Sequence, residues 1–131
     1  MKAAVRYYSK LGNTRAIAEA IAEGAGVKAV SVSDEPALAE RAEVLFLGGA
    51  PYANIMAPEL RAYAEKLTPD QVGHVVLFTT SNWSRRTVYA LRKLLREQGV
   101  SVDDRFFYAH MTRIKARIDA ARGFAAEFIS H

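Results

Sequence analysis

The chain has 131 residues, half of them hydrophobic, which is the usual size of one domain with its own core. It contains no cysteine, which excludes disulfides, thiolate metal sites, iron–sulfur ligation and cysteine nucleophiles. No apolar run approaches the roughly 20 residues of a membrane helix, and Arg6 interrupts the N-terminal apolar stretch. We therefore expect one cytoplasmic domain over residues 1–131. The formal net charge of +4 suits an acidic partner but does not select a fold.

Segments with strand character and segments with helix character alternate along the whole chain. Short apolar or β-branched runs predict the strands, and apolar residues three and four positions apart predict the helices between them. Strands are predicted at residues 3–8, 27–32, 44–47, 75–78 and 100–109, the last with an irregular middle at Asp103 and Asp104. The first helix is predicted to begin at Thr14 and to end near Gly24 and Gly26, and the second to follow an N-cap at Ser33 or Asp34, with Pro36 in its first turn. Three more helices are predicted from Pro58 to Leu67, over residues 88–95 before Gly99, and over residues 114–128.

This alternation predicts an α/β protein. Short connections and right-handed crossovers place the five strands in one parallel sheet with helices on both faces, which is a three-layer, doubly wound architecture. Ligands of such sheets bind outside the carboxyl ends of the strands, where the strand order reverses. The loops that follow the strands are therefore the candidate site.

The loop after the first strand is rich in groups that bind anions. It reads Ser9-Lys10-Leu11-Gly12-Asn13-Thr14, with a hydroxyl at each end and a glycine between them. Exposed N–H groups and the positive end of the next helix dipole suit a phosphate dianion. The same residues also fit a simple helix cap with a turn at Gly12. The loop matches neither the dinucleotide-binding nor the Walker pattern.

With Tyr7 and Tyr8 before it, this loop resembles the flavodoxin fingerprint, in which Ser/Thr-x-Thr-Gly-x-Thr follows the first strand. The resemblance extends over the whole chain, and it implies the strand order 2-1-3-4-5 and a bound flavin mononucleotide (FMN). The chain is similar to short-chain members, because nothing the size of the long-chain insertion fits inside strand five. Leu11 stands where the family has its middle Thr, so we expect weaker FMN binding through a lost hydroxyl contact.

The resemblance assigns the flavin ring to the loops after strands three and four. Tyr52 and Trp83 lie in these loops, so one aromatic side chain is expected on each face of the ring. A turn at Tyr52-Ala53-Asn54 is expected to present a carbonyl to the N5–H of the reduced ring. Simpler interpretations are packing of Tyr52 on its own loop, capping of the next helix by Trp83, and an ordinary surface turn. The predicted cofactor-binding residues are Ser9, Lys10, Leu11, Gly12, Asn13, Thr14, Ala50, Pro51, Tyr52, Ala53, Asn54, Thr79, Thr80, Ser81, Asn82 and Trp83.

The charged residues near these loops are basic. The loop after strand four runs into Arg85 and Arg86, whereas flavodoxins often surround their flavin with carboxylates, and cations favour an anionic reduced flavin. We therefore expect a less negative second reduction potential, unless both arginines are merely solvated residues at a helix start. The basic stretch 85–96 is typical of a solvated helix face and does not favour nucleic-acid binding. His74, His110 and His131 have no metal-ligand spacing, and we predict neither a metal site nor catalytic residues.

The leading hypothesis is an electron carrier in which bound FMN exchanges electrons with redox partner proteins, and no membrane is involved. The net positive charge favours acidic partners. The alternative is an FMN-dependent NAD(P)H or quinone reductase, for which the short loops leave little room beside the flavin. A third possibility is a binding domain that kept the fold and lost the cofactor, with Leu11 as its support.

Overall fold

The computed structural model describes residues 2–52 and 55–130, and it arranges a parallel sheet between two layers of helices. Ala53, Asn54 and His131 lie outside the described residues, so the expectations for them are not examined by the structure. The elements in chain order are β1 Ala3–Tyr8, α1 Asn13–Ala25, β2 Ala29–Ser31, β3 Ala42–Gly49, β4 Pro51–Tyr52, β5 Ile55–Met56, α2 Pro58–Glu65, β6 Val72–Ser81, α3 Arg86–Glu97, β7 Val102–His110 and α4 Ile114–Ile129.

The main sheet has the order β2-β1-β3-β6-β7, and all of its neighbouring strands are parallel. This is the predicted 2-1-3-4-5 order for the five strands of the sheet, and the small antiparallel hairpin β4–β5 is added after β3. Successive side chains of a strand point to opposite faces of the sheet. Phe46 thus packs in the core under α1 and α4, whereas Leu45 and Leu47 pack under α2 and α3. The predicted fold class is confirmed.

The helix predicted after Ser33 or Asp34 is wrong. Residues 32–41 form turns and irregular chain between β2 and β3. The N–H of Val32 still bonds to Tyr7 as an extension of the sheet, and the Glu35 carboxylate is held by Arg6 at 3.1 Å. The only buried side chains here are Val32 and Leu38, and a spacing of six residues does not give a helix one apolar face. The described residues therefore contain four α-helices instead of the expected five.

The irregular middle of the last strand is confirmed. The register between β6 and β7 shifts between the pairs Val75–Val102 and Leu77–Phe106, so β7 carries extra residues here. The carboxylate of Asp103 lies in this segment and accepts hydrogen bonds from Arg105 at 3.1 and 3.2 Å. It also lies 3.0 Å from Nε2 of His74 on β6. The charged cluster therefore ties the irregular strand to its neighbour.

Asp103 makes the stability of the fold depend on pH. Burial alone would raise the pKa of Asp103, but the hydrogen bonds from Arg105 and His74 hold it well below its usual range. A carboxyl whose pKa is lowered on folding stabilises the folded state fully above the unfolded pKa, about 3.9. This contribution is lost as the pH falls from there through the lower pKa of the folded state.

We expect Asp103→Asn to lower the free energy of unfolding by about 1–3 kcal/mol near neutral pH, because an amide cannot replace the charge-assisted bonds. The loss should shrink in acid, and urea titrations near pH 7 and near pH 2.5 would measure it. Asp104→Asn is the matched control: Asp104 pairs with Arg96 at an exposed position, so this substitution should cost much less stability than Asp103→Asn. An equal loss at both pH values would contradict the assignment.

No helix within residues 2–52 and 55–130 is long and apolar enough to cross a membrane.

Candidate functional site

A cavity of about 240 Å³ opens at the carboxyl ends of the parallel strands. Loops after β1, β3, β6 and β7 meet around it, which is where an open α/β sheet binds its ligands. Lys10, Gly12, Thr79 and Trp83 belong to the same loops or strand ends without lining the cavity. The predicted residues that line it are Ser9, Leu11, Asn13, Thr14, Ala50, Pro51, Tyr52, Thr80, Ser81 and Asn82.

The loop after β1 is folded by its own side chains and leaves helix N–H groups free for a ligand. The Gly12 N–H donates to Ser9 Oγ at 3.0 Å, and Gly12 has the left-handed backbone conformation with φ 92°. The first helical bond runs from Ala16 N–H to Gly12 O at 3.1 Å. The N–H groups of residues 13–15 therefore have no acceptor within the helix, and they suit an anion at this end of the cavity.

A buried hydroxyl pair joins the start of α1 to the end of β6 at the cavity. Thr14 Oγ1 and Thr80 Oγ1 are 2.7 Å apart, and each residue is only 1% exposed. Thr14 is in the first turn of α1, whereas Thr80 is near the end of β6. Because one hydroxyl must donate to the other, the pair fixes the start of α1 against the end of the central sheet.

Tyr52 forms a fixed wall of the cavity. Its hydroxyl accepts a hydrogen bond from the Lys10 N–H at 2.8 Å, and the Lys10 ammonium lies 4.8 Å from its ring centroid. The ring of Tyr8 packs edge-on against Tyr52 at 6.1 Å. The Tyr8 hydroxyl also bonds to Glu59, which lowers the pKa of Glu59 and raises the pKa of Tyr8. The hairpin β4–β5 is therefore held against the loop after β1.

Trp83 lies beside the cavity and not over it. It is the one residue besides glycine with a positive φ among those described, at 74°, and it is 70% exposed. The backbone N–H of Trp83 donates to Tyr108 Oη at 2.8 Å, and its backbone carbonyl accepts from Arg85 at 3.1 Å. Its indole packs against the His110 ring with centroids 4.7 Å apart. Of the two predicted aromatic residues, only Tyr52 lines the cavity, and stacking by Trp83 stays a prediction.

The two arginines after this loop differ in their surroundings. The guanidinium of Arg85 lies over the Tyr108 ring, 4.3 Å from its centroid, in addition to its bond to Trp83. Arg86 is exposed, and its N–H donates to Ser84 Oγ at 3.3 Å. Neither arginine lines the cavity. Their predicted effect on the flavin potential therefore depends on long-range charge and stays a prediction.

The loop after β7 contributes to the site, and sequence reasoning missed it. Met111 lines the cavity, as does Ser84. His110 Nδ1 accepts from the Thr112 N–H at 3.2 Å, so Nε2 is the donor to Asn82 Oδ1 at 2.8 Å. No motif marks residues 110–112. The available signal was topological, because a fifth parallel strand must end at the same edge as the others.

No protein-family model and no curated protein sequence matches the chain. Solved flavodoxin structures do match it along its whole length. A flavodoxin from the domain Archaea has a TM-score of 0.68 at 23% identity and covers 100% of both chains. Flavodoxin 2 from Bacillus cereus has a TM-score of 0.76 at 18% identity, with 99% of each chain covered.

A third structure, the Fusobacterium nucleatum flavodoxin bound to flavin mononucleotide, has a TM-score of 0.71 at 16% identity, with 99% of this chain and 98% of that one covered. At these identities the likeness concerns the fold. The protein therefore has a flavodoxin-like fold.

Proposed function

We propose that the protein binds FMN and transfers electrons between redox partner proteins, as one domain over residues 1–131. One observation carries the proposal: four loops of a flavodoxin-like sheet meet at a cavity with helix N–H groups at one end and Tyr52 in its wall. Helix N–H groups that can donate to an anion, beside an aromatic wall, suit a ligand with a phosphate and a planar ring. The structurally similar protein of Fusobacterium nucleatum is described as bound to FMN.

The donor chemistry of this cavity fits FMN. Asn13 and Thr14, with the helix N–H groups, would hold the phosphate, while Ser9 and Gly12 shape their loop. Lys10 would add positive charge, and Leu11 would lie at the rim. FMN supplies one-electron chemistry when bound, and the chain binds, orients and shields it. Ala50, Pro51 and Tyr52 would lie on one side of the ring, and Thr80, Ser81, Asn82 and Trp83 would lie on the other. Thr79 Oγ1 secures the start of the loop after β3 by donating to Gly49 O at 2.7 Å.

Three parts of the proposal rest on the sequence alone. The proposal that a turn at Tyr52-Ala53-Asn54 presents a carbonyl to the N5–H of the reduced ring comes from the resemblance of the loop to flavodoxins. An acidic redox partner follows from the net charge of +4. The cytoplasm is the compartment that the lack of cysteine favours.

Titration of the apo protein with FMN tests the proposal. Trp83 is the only tryptophan in the sequence and directly follows Asn82, which lines the cavity, so we expect FMN binding in the micromolar range to quench its fluorescence. Riboflavin, which lacks the phosphate, should bind at least about tenfold more weakly, because it cannot use the helix N–H groups.

An unchanged Trp83 emission and an unchanged FMN emission, in a protein whose circular dichroism reports an intact fold, would refute FMN binding. For the loaded protein, rapid bleaching by NADPH without an added reductase would favour the reductase over the carrier. Slow bleaching that needs a reductase would support the carrier.

A further inference from the structure

Four large apolar side chains are exposed around the cavity, one on each loop. Leu11 is 79% exposed after β1, Ile55 is 68% exposed after β3, Trp83 is 70% exposed after β6, and Met111 is 41% exposed after β7. Among the described residues, the only other exposed side chain of this kind is Tyr89 on α3. Single exposed apolar residues need no explanation, but a set gathered around one cavity marks an interaction surface.

The charged residues of the same loops are all cationic. Residues 9–14, 50–57, 82–85 and 111–113 contain no aspartate or glutamate, and they contain Lys10, Arg85 and Arg113. Arg86 and Lys115 follow in the first turns of α3 and α4, and both are exposed. Lys10, Arg86, Arg113 and Lys115 form no ion pair with any residue in 2–52 or 55–130. The apolar residues are thus bordered by unpaired positive charge.

The position of these cations is unfavourable for the isolated protein. Of the helices in the described residues, only α2 has an acidic residue in its first turn, Glu59, which is bonded to Tyr8. The first turns of α1, α3 and α4 contain none, although carboxylates stabilise helix N-termini and cations destabilise them. Arg86 and Lys115 therefore add positive charge to the positive ends of two helix dipoles. Folding gains nothing from this arrangement, whereas a negatively charged partner would be attracted by the cations and the dipoles together.

We propose that this edge of the protein is a docking face for a partner protein with an apolar centre and an acidic rim. The apolar centre of the face consists of Leu11, Ile55, Trp83 and Met111, and its cationic rim consists of Lys10, Arg86, Arg113 and Lys115. This inference rests on the proposed electron transfer, because it names the chemistry of the redox partner at the same cavity. Leu11 thereby gains a role: in place of a phosphate ligand, the loop presents an apolar contact to the partner. A nucleic acid fits the face less well, since four apolar side chains have no counterpart on a phosphate backbone.

Two forms of one protein serve as probes for this face. Cytochrome c has an exposed apolar haem edge inside a basic rim, and succinylation of its lysines makes the rim acidic. We expect succinylated cytochrome c, at low ionic strength, to shift the indole N–H signal of Trp83 and the methyl signals of Leu11, Ile55 and Met111. Native cytochrome c should shift none of them, and salt should weaken the interaction with the succinylated form.

Substitutions separate the charged rim from the apolar centre. Arg86→Glu combined with Arg113→Glu should weaken binding of succinylated cytochrome c by about tenfold or more. The matched control is Lys28→Glu with Lys93→Glu, which makes the same change in net charge away from this edge and should weaken binding by less than about threefold. Ile55→Ser, outside the cavity lining, should also weaken binding, by about threefold to tenfold, through lost apolar contact.

Equal binding of both cytochrome forms, shifts confined to other parts of the surface, or equal effects of the two charge reversals would overturn the docking face. The docking face would also be overturned if a single-stranded oligonucleotide bound more tightly than succinylated cytochrome c and if Ile55→Ser left the affinity for the oligonucleotide unchanged. The titrations use protein with and without saturating FMN, and they do not depend on flavin reduction. Binding of succinylated cytochrome c without FMN binding would refute the proposed function alone, and FMN binding without docking would refute this inference alone.

Discussion

Thr14→Val is expected to weaken FMN binding by about tenfold to a hundredfold, because a hydrogen bond to a charged group contributes about 1.5–3 kcal/mol. Thr14 lines the cavity from the first turn of α1, where the helix N–H groups lack helical acceptors. Valine has nearly the same shape and keeps the packing, so the change removes mainly the hydroxyl. Quenching of Trp83 and of FMN emission would give the dissociation constants.

The partner of this hydroxyl supplies the control. Thr80 is 1% exposed and bonds to Thr14, so either single change to valine leaves the other hydroxyl buried without its partner. Each should lower the free energy of unfolding by about 1–3 kcal/mol. The double variant should lose less than the sum, since it removes both hydroxyls together. FMN affinity should fall for Thr14→Val and for the double variant, and much less for Thr80→Val; equal losses for the two single variants would contradict a direct phosphate contact by Thr14.

The strands of this protein were largely predictable because their signal is local. β1 begins and ends at the predicted residues, and the apolar runs of the third and fourth strands lie within β3 and β6. Both strands run past their predicted ends. Gly48 and Gly49 suggested a stop, yet they pair with Tyr7 and Tyr8. A side chain at Gly48 would meet the Phe78 ring, so the glycine serves packing between strands and not chain reversal.

What the sequence did not predict depends on contacts distant in the chain. The segment after β2 has helix-start residues, but the sheet bond of Val32 and the ion pair of Glu35 with Arg6 hold it in an irregular path. Likewise, the contacts of Trp83 with His110 and Tyr108 join residues distant in the chain, while its predicted stacking on the flavin stays a prediction. Local propensity contains no information about such partners, which is why the positions of the loops along the chain could be predicted and the contacts of their side chains could not.

The conformation of the loop after β1 can be tested through the two glycines that flank α1. Gly12 precedes α1 with φ 92°, and Gly26 ends it with φ 74°. Apart from the neighbouring residues in the chain, no atom lies within 4 Å of a Cβ added at either position, so alanine meets only the backbone cost of the left-handed region. That cost is about 1–2 kcal/mol, and both Gly12→Ala and Gly26→Ala should lower the free energy of unfolding by this amount in urea titrations.

Only Gly12→Ala is expected to change ligand binding. Relief of the strain at Gly12 would rotate the following peptides and turn the Asn13 and Thr14 N–H groups away from the phosphate position, and we expect a loss in FMN affinity of about tenfold or more. Gly26→Ala carries the same strain at the far end of α1 and should bind FMN as the wild type does. Riboflavin sharpens the comparison, because it lacks the phosphate and its weak binding should be equal in all three proteins. If Gly12→Ala and Gly26→Ala bound FMN equally well, the loop after β1 would be a helix cap, and the phosphate would have to be held elsewhere on the sheet edge.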